Sequence, residues 1–287
     1  MLIVGLCVTL GKMAVEHLTV VALAGVRCLA AALALWPFAR AEGVPPPMER
    51  RDRLDLFWQA FFGVFAFTLL MLGGVQLTGA GEAGLIAATM PLAILLLALP
   101  MLGEGLSARA VVAAIVASGG IAVVTFAGGA GEGRMLGNLL VAAAVIAEAL
   151  YTIFAKRLAG RIPPATMAMR LNLVALLVFA PLLPFQPWAD LLARTPIHVW
   201  AIAVAYGVGT SGIALILWYR GTRRVEGGTA GLFTVFLPVG AIASAALILG
   251  EPIGGRHVVG GAVIGVALAI GLAPNLRLPR FLLRPRA

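Results

Sequence analysis

The chain is 287 residues long, 61% hydrophobic and only 11% charged, with a mean hydropathy of +1.03 and a formal net charge of +9. Those figures exclude an ordinary soluble domain: about 20 apolar residues cross a bilayer, so this length suits nine or ten closely spaced membrane helices. They also argue against a nucleic-acid partner, because the arginines sit in short loops and a terminal tail rather than on one recognition face.

The apolar runs in order are Met1–Val15, Val20–Phe38, Leu54–Leu77, Glu82–Leu102, Ala108–Ala127, Asn138–Arg157, Pro164–Phe185, Ile197–Gly221, Gly228–Leu249 and Arg256–Ala273. The first is short: fifteen or so residues at 1.5 Å each give roughly 24 Å against a core of about 30 Å, which reads as a missing turn at the N-terminus. The longest loop, Arg40–Arg53, carries three consecutive prolines and a charge cluster and reads as a solvated linker. With both termini placed on one side, fifteen Lys and Arg fall on that side and three (Arg134, Arg194, Arg256) on the other. The positive-inside rule then puts both termini in the cytoplasm of a bacterial-type inner membrane. Lys12, Arg27 and Arg170 remain inside spans. No basic n-region precedes the first run, so no cleavable signal peptide is expected.

The sixth run, NLLVAAAVIAEALYTIFAKR, carries Glu148 at mid-depth, with Tyr151, Thr152 and Lys156 at +3, +4 and +8 on the same helical face. A carboxylate at that depth costs about 2.5–3.5 kcal/mol on insertion scales. Residues 229 onward, TAGLFTVFLPVGAIASAALILGEPIGGRHVVGG, align with EAGLIAATMPLAILLLALPMLGEGLSARAVVAA from residue 82 at an offset of 147. Pro91 matches Pro238, Glu104 matches Glu251 and Arg109 matches Arg256. Nearer the N-terminus the offset is 143–144, so Arg27 matches Arg170 and Lys12 matches Lys156. Five spans per copy is an odd number, so the second copy enters from the opposite face, as in secondary transporters with a site at the repeat interface. The fold expected is all-α and polytopic: ten transmembrane helices in two inverted five-helix repeats, residues 1–127 and 135–274, followed by a basic cytoplasmic tail, 275–287.

The motifs LAGVRCLAAALAL and MAMRLNLVALLV, Pro91 followed by LGE at 102–104, Pro238 followed by LGE at 249–251, and WYRGTRRVEGGTAG resemble the drug/metabolite transporter superfamily, specifically its ten-helix EamA-type exporters. The resemblance spans nearly the whole chain. It implies helices 1, 3, 4, 6, 8 and 9 around a central cavity, and export of amino acids or related metabolites. One departure is Val4 before Gly5, where the family has a Trp-Gly pair. Run six also resembles the first helix of the four-helix small multidrug resistance proteins in Ala147-Glu148, Thr152 and Lys156, which implies a proton- and cation-binding role for Glu148. Its counterpart in the first copy is Val4, so a two-glutamate site is absent.

Candidate substrate-binding or coupling residues are Glu148, Tyr151, Thr152, Lys12, Thr9, Glu82, Thr89, Phe233, Phe236, Tyr206 and Thr210. The competing reading of Glu148 is a structural hydrogen-bond anchor. That of Lys12 is a lysine snorkelling to the interface beside Glu16. Pro91 and Pro238 are expected to kink their helices by removing a ladder bond. Arg27 and Arg170 are expected to form structural pairs with Glu251 and Glu104 across the repeats. Those acids could equally pair locally with Arg256 and Arg109 at helix N-termini. Trp58, Phe61, Phe62 and Phe65 form an aromatic stripe suited to packing or to substrate. Ala114, Ser118 and Ala122 match Gly261, Gly265 and Ala269, a small-residue register suited to close helix approach or a homodimer. Cys7 and Cys28 suggest neither disulfide nor metal, and His17, His198 and His257 form no enzyme motif, so no cofactor and no catalysis are expected. The partners left are a small-molecule substrate and membrane lipid. Alternatives to metabolite export are a cationic multidrug exporter, a phosphorylated-substrate antiporter using Lys12, Arg27 or Arg170, and a scaffold without transport.

Overall fold

The computed structural model describes residues 1–45, 47–78, 86–87, 89–103, 108–126, 135–249 and 255–272. Among them the regular structure is helical, and one isolated bridge, Ala159 to Ile162, closes a turn between helices. The helices are α1 (Leu2–Val15), α2 (Val20–Ala41), α3 (Arg50–Ala60), α4 (Phe67–Thr78), α5 (Met90–Leu102), α6 (Ala108–Phe126), α7 (Met135–Leu158) and α8 (Pro164–Phe179). After these come α9 (Trp188–Arg194), α10 (Ile197–Tyr206), α11 (Ala214–Thr222), α12 (Gly227–Leu232), α13 (Phe236–Leu249) and α14 (Gly255–Leu272). Four continuous rods, Val20–Ala41, Arg50–Gly74, Met135–Leu158 and Ile197–Thr222, are long and apolar enough to cross a membrane.

Two of those rods contain a wide π turn: Phe61–Ala66 joins α3 to α4, and Gly207–Ile213 joins α10 to α11. A π turn takes a carbonyl out of the i→i−4 ladder. In lipid that carbonyl must find a partner within the protein. The Val64 carbonyl accepts from Thr68 Oγ1 at 2.5 Å, one turn along its own helix. Ser211, 147 residues further on, has its carbonyl accept from the buried Asn172 Nδ2 of α8 at 2.8 Å. Both turns admit a neighbour through a glycine. A Cβ on Gly63 would lie 2.2 Å from the Tyr151 ring of α7, and one on Gly207 would lie 2.6 Å from the Arg27 carbonyl oxygen of α2.

The packing partners come in matched sets. α1 packs on α13 as α5 packs on α7; α1 packs on α10 as α3 and α4 pack on α7; α2 meets the second π turn as α8 meets the first. The remaining large contacts, α2 with α8 and α6 with α14, join corresponding helices directly. The main core runs through Cys28, Leu35, Leu56, Tyr151, Leu158, Met167, Leu171, Trp218 and Tyr219. The aromatic stripe packs inward from α3: Phe62 stacks parallel to Phe154 at 6.3 Å, and Phe65 meets Phe179 edge-on at 5.1 Å.

One expectation is corrected. The seventh run ends as a helix at Phe179 rather than Phe185, because Pro181 and Pro184 cannot continue the ladder. The chain then makes a 3₁₀ turn and the unexpected short α9, where the Trp188 indole donates to the Leu183 carbonyl at 2.7 Å. Both prolines sit where their runs change helical segment: Thr89 is a turn just before α5, and the 3₁₀ turn Phe233–Val235 separates α12 from α13. Pro91 is the second residue of α5 and Pro238 the third of α13, first-turn positions where a missing N–H leaves no gap. Of the small-residue register, Ala114 lies in the α6–α14 contact together with Ala113, Ala117 and Ala267, while a Cβ at Gly261 or Gly265 would meet nothing within 4 Å.

Gly207→Ala should lower the thermal stability of the detergent-purified protein by about 1–3 kcal/mol, because backbone rather than a flexible side chain must move. Gly261→Ala should be near neutral. Thermal unfolding of both variants checks the contrast.

Candidate functional site

α7 brings most of the candidate residues together. Glu148 is half-buried, and among the described residues no hydrogen bond or ion pair engages its carboxylate. One turn on, Tyr151 is buried in the space left by Gly63. Beside it Gln59 Nε2 of α3, fully buried, donates to the Tyr219 hydroxyl of α11 at 2.8 Å. Tyr151 and Tyr219 lie in the same buried core cluster as Cys28, the chain neighbour of Arg27.

Thr152 is completely buried and its hydroxyl has no partner. Its counterpart at an offset of 143 is Thr9, whose hydroxyl meets Ser244 Oγ at 2.7 Å across the α1–α13 contact. Ser244 also donates to the Gly5 carbonyl at 3.4 Å. The position of α5 corresponding to Ser244 is Leu97, which offers Thr152 no hydroxyl. Thr9 is thus engaged in joining helices, whereas Thr152 keeps an unmet hydrogen-bonding group.

Arg27 lies on α2 with its guanidinium carbon 5.9 Å from the centre of the Tyr206 ring. Its Nε is buried without a partner. The Tyr206 ring in turn lies against Gly11 of α1, where a Cβ would come within 3.1 Å. Thr210 is buried and turned back to the Tyr206 carbonyl at 2.7 Å. Glu251 and Glu104, the expected partners of Arg27 and Arg170, lie outside the described residues, as do Glu82 and the side chains of Lys12 and Pro238. Arg170 is half-buried, with no ion pair among the described residues. Thr89 is exposed and closes a turn onto the Ile86 carbonyl at 2.7 Å. Phe233 and Phe236 are half-buried and stacked at 6.2 Å, at the 3₁₀ turn between α12 and α13. The described residues contain no group of three or more His, Cys, Asp or Glu suited to a metal.

One end of the bundle carries a set of charges that sequence reasoning counted only for topology or passed over. Arg161 pairs with Asp52 at 2.7 Å, and Arg157 with Asp55 at 3.5 Å. Arg157 also donates to the Met101 carbonyl at 3.2 Å and stacks on Phe154. Both aspartates are buried. The Glu42 carboxylate accepts from the Ala165 and Thr166 backbone N–H groups at 2.9 and 2.8 Å and from the Thr166 hydroxyl at 3.0 Å. A carboxylate there satisfies the orphan donors of the first turn of α8. Lys156 donates to the Thr222 carbonyl at 2.8 Å and to the Val225 carbonyl, closing the end of α11. The available signal was spacing on α3 alone, where Asp52 and Asp55 are three apart on one face; Arg157 lies in the last turn of α7 and Arg161 in the turn after it.

Glu42→Ala should cost about 1–2 kcal/mol, the usual loss for a helix cap. Arg161→Ala should cost less than about 1 kcal/mol, because its side chain is half in solvent. Thermal unfolding in one detergent should rank the two in that order.

Comparison with known proteins now has a geometry to meet. The model of the EamA-like transporter family matches the chain twice, over residues 1–126 and 135–272. An uncharacterized transporter, YetK, of Bacillus subtilis (strain 168) is 33% identical over 277 residues, covering 94% of this chain and 82% of YetK. The aromatic amino acid exporter YddG of Ancylobacter novellus is 29% identical over 183 residues, covering 62% of this chain and 61% of that protein. A crystal structure of a protein 20% identical in sequence shares the fold, with a TM-score of 0.77 and 94% of both chains covered.

Proposed function

The chain belongs to the EamA-like transporter family, and from that premise we propose that it exports amino acids or closely related metabolites across a bacterial inner membrane by alternating access. The family is one of multi-pass membrane transporters, not of enzymes, and the substrate is a small molecule. The observation that carries the reading is Glu148: a half-buried carboxylate in a membrane-length helix, with no partner among the described residues, beside a buried Tyr151 and an unmet Thr152 hydroxyl. An intramembrane ionisable group without a structural partner belongs to a substrate or proton path by default. The amino-acid class draws support from similarity to YddG, an exporter of aromatic amino acids.

In this reading the molecule has ten transmembrane helices in two inverted halves, 1–127 and 135–274, with a basic tail and both termini in the cytoplasm. The doubled family match, the paired helix contacts and the π turns 147 residues apart support it. The site lies between the halves, near mid-membrane, as inverted repeats arrange it. In the same reading Phe233 and Phe236, stacked where α12 gives way to α13, line its far side, and a homodimer would use the uncovered glycine face of α14.

A second reading, proton-coupled export of cationic drugs, draws on the same carboxylate beside aromatic rings. Transport assays in proteoliposomes with amino acids and organic cations, with and without a pH gradient, separate the two. Amino-acid flux is expected in the wild type, and Glu148→Gln should reduce it by roughly tenfold or more, the loss usual for a buried charged hydrogen-bonding group. Unchanged flux in the variant removes Glu148 from the mechanism, and absence of any flux leaves a scaffold.

A further inference from the structure

We propose that Arg27 is the carboxylate-binding group of the transport site, so that the protein recognises its substrate as a zwitterion, with Arg27 on the carboxylate and Glu148 on the ammonium. The inference rests on the placement of Glu148 at the transport site.

Arg27 is the eighth residue of a 22-residue membrane-length helix. An arginine at such depth costs about 2.5–3.5 kcal/mol to insert unless something inside the protein answers its charge. Among the described residues no acid does. Its Nε is buried without an acceptor. A buried donor left unmet costs about 1–3 kcal/mol. What Arg27 does have is a ring: Tyr206, 5.9 Å from its guanidinium carbon and wedged against Gly11. An aromatic face attracts the cation but accepts none of the in-plane N–H bonds. A guanidinium set on a ring with its Nε unmet is suited to a planar oxyanion, and a carboxylate is the simplest such group.

The second charge places the other end of the substrate. Glu148 and Arg27 are not paired with each other among the described residues, and Glu148 lies one turn before Tyr151 on the same face of α7. Cys28, next to Arg27, packs in the same core cluster as Tyr151 and Tyr219. An acid and a base near one buried cluster, not paired with each other among the described residues, are both answered by a ligand carrying an ammonium and a carboxylate. A simple cation answers only Glu148, and a simple anion only Arg27.

The symmetry mate of Arg27 lacks this arrangement. The residue corresponding to Tyr206 in the first half is Gln59, and Gln59 is committed to Tyr219 at 2.8 Å. Arg170 therefore has no corresponding ring beneath it and serves as the control.

The test is transport in proteoliposomes of the twenty common L-amino acids and, for each one that moves, its methyl ester and its decarboxylated amine. Wild type, Arg27→Gln, Arg27→Lys and Arg170→Gln are compared, each checked for a monodisperse elution profile. Wild type should favour the free amino acid over its ester and amine. Arg27→Gln should lose roughly ten- to hundredfold in amino-acid transport, while amine transport stays within about twofold. Arg27→Lys keeps the charge without the planar fork and should lose several-fold of the preference; it carries the test if the Gln variant does not fold. Arg170→Gln should keep the wild-type preference. Amino-acid transport with unchanged preference in the Arg27 variants overturns this inference and leaves the export reading standing. Transport of organic cations but of no amino acid overturns both.

Discussion

A bilayer core offers no hydrogen-bond partner, and this structure follows from that single constraint. Each polar group carried into a span is either answered by another part of the chain or left for something else to answer. The Val64 carbonyl is answered by Thr68, the Ser211 carbonyl by Asn172, Thr9 by Ser244, and the start of α8 by Glu42. These bonds fix which helices touch and in what register. Removing one leaves a buried group unmet, which costs more than the bond contributes. Among the groups that no described residue answers are the carboxylate of Glu148, the hydroxyl of Thr152 and the Nε of Arg27, together with Gln59 Oε1, Trp218 Nε1 and, on α6, the Ser118 hydroxyl.

Most of the spans were legible in the sequence because hydropathy over 20 residues is a strong signal and Pro, Gly and charge mark the ends. The offset of 147 was legible because matching prolines and LGE motifs survive in both halves. The π turns were not. Inserting one residue in a turn only rotates the apolar face beyond it, and an all-apolar helix shows no face to rotate. Gly63 and Gly207 could have hinted at close approach, but an isolated glycine in an apolar run has many explanations. The ties between Asp52 or Asp55 and Arg161 or Arg157 join segments about a hundred residues apart, which no local pattern encodes.

The two halves share a plan and differ in their fittings. Thr9 finds a serine where Thr152 faces a leucine position; Tyr206 lies beside an arginine where Gln59 bonds a tyrosine. Such substitutions leave the backbone arrangement intact and concentrate unmet polarity at one place. An architecture built from duplicated parts thereby acquires a single binding orientation.

The ties at the two ends of α2 differ in kind. At one end Glu42 joins α8, close to the Arg161–Asp52 and Arg157–Asp55 pairs; at the other, Thr19 bonds the neutral side chain of Gln186 at 2.5 Å. A motion that parts the bundle at the charged end must hydrate separated ions, while one at the neutral end exchanges a single amide bond for water. Dissolved salt screens the first and leaves the second nearly untouched. For the alternating access proposed above, the balance between the two openings would then respond to electrolyte at the charged end and hardly at the neutral one.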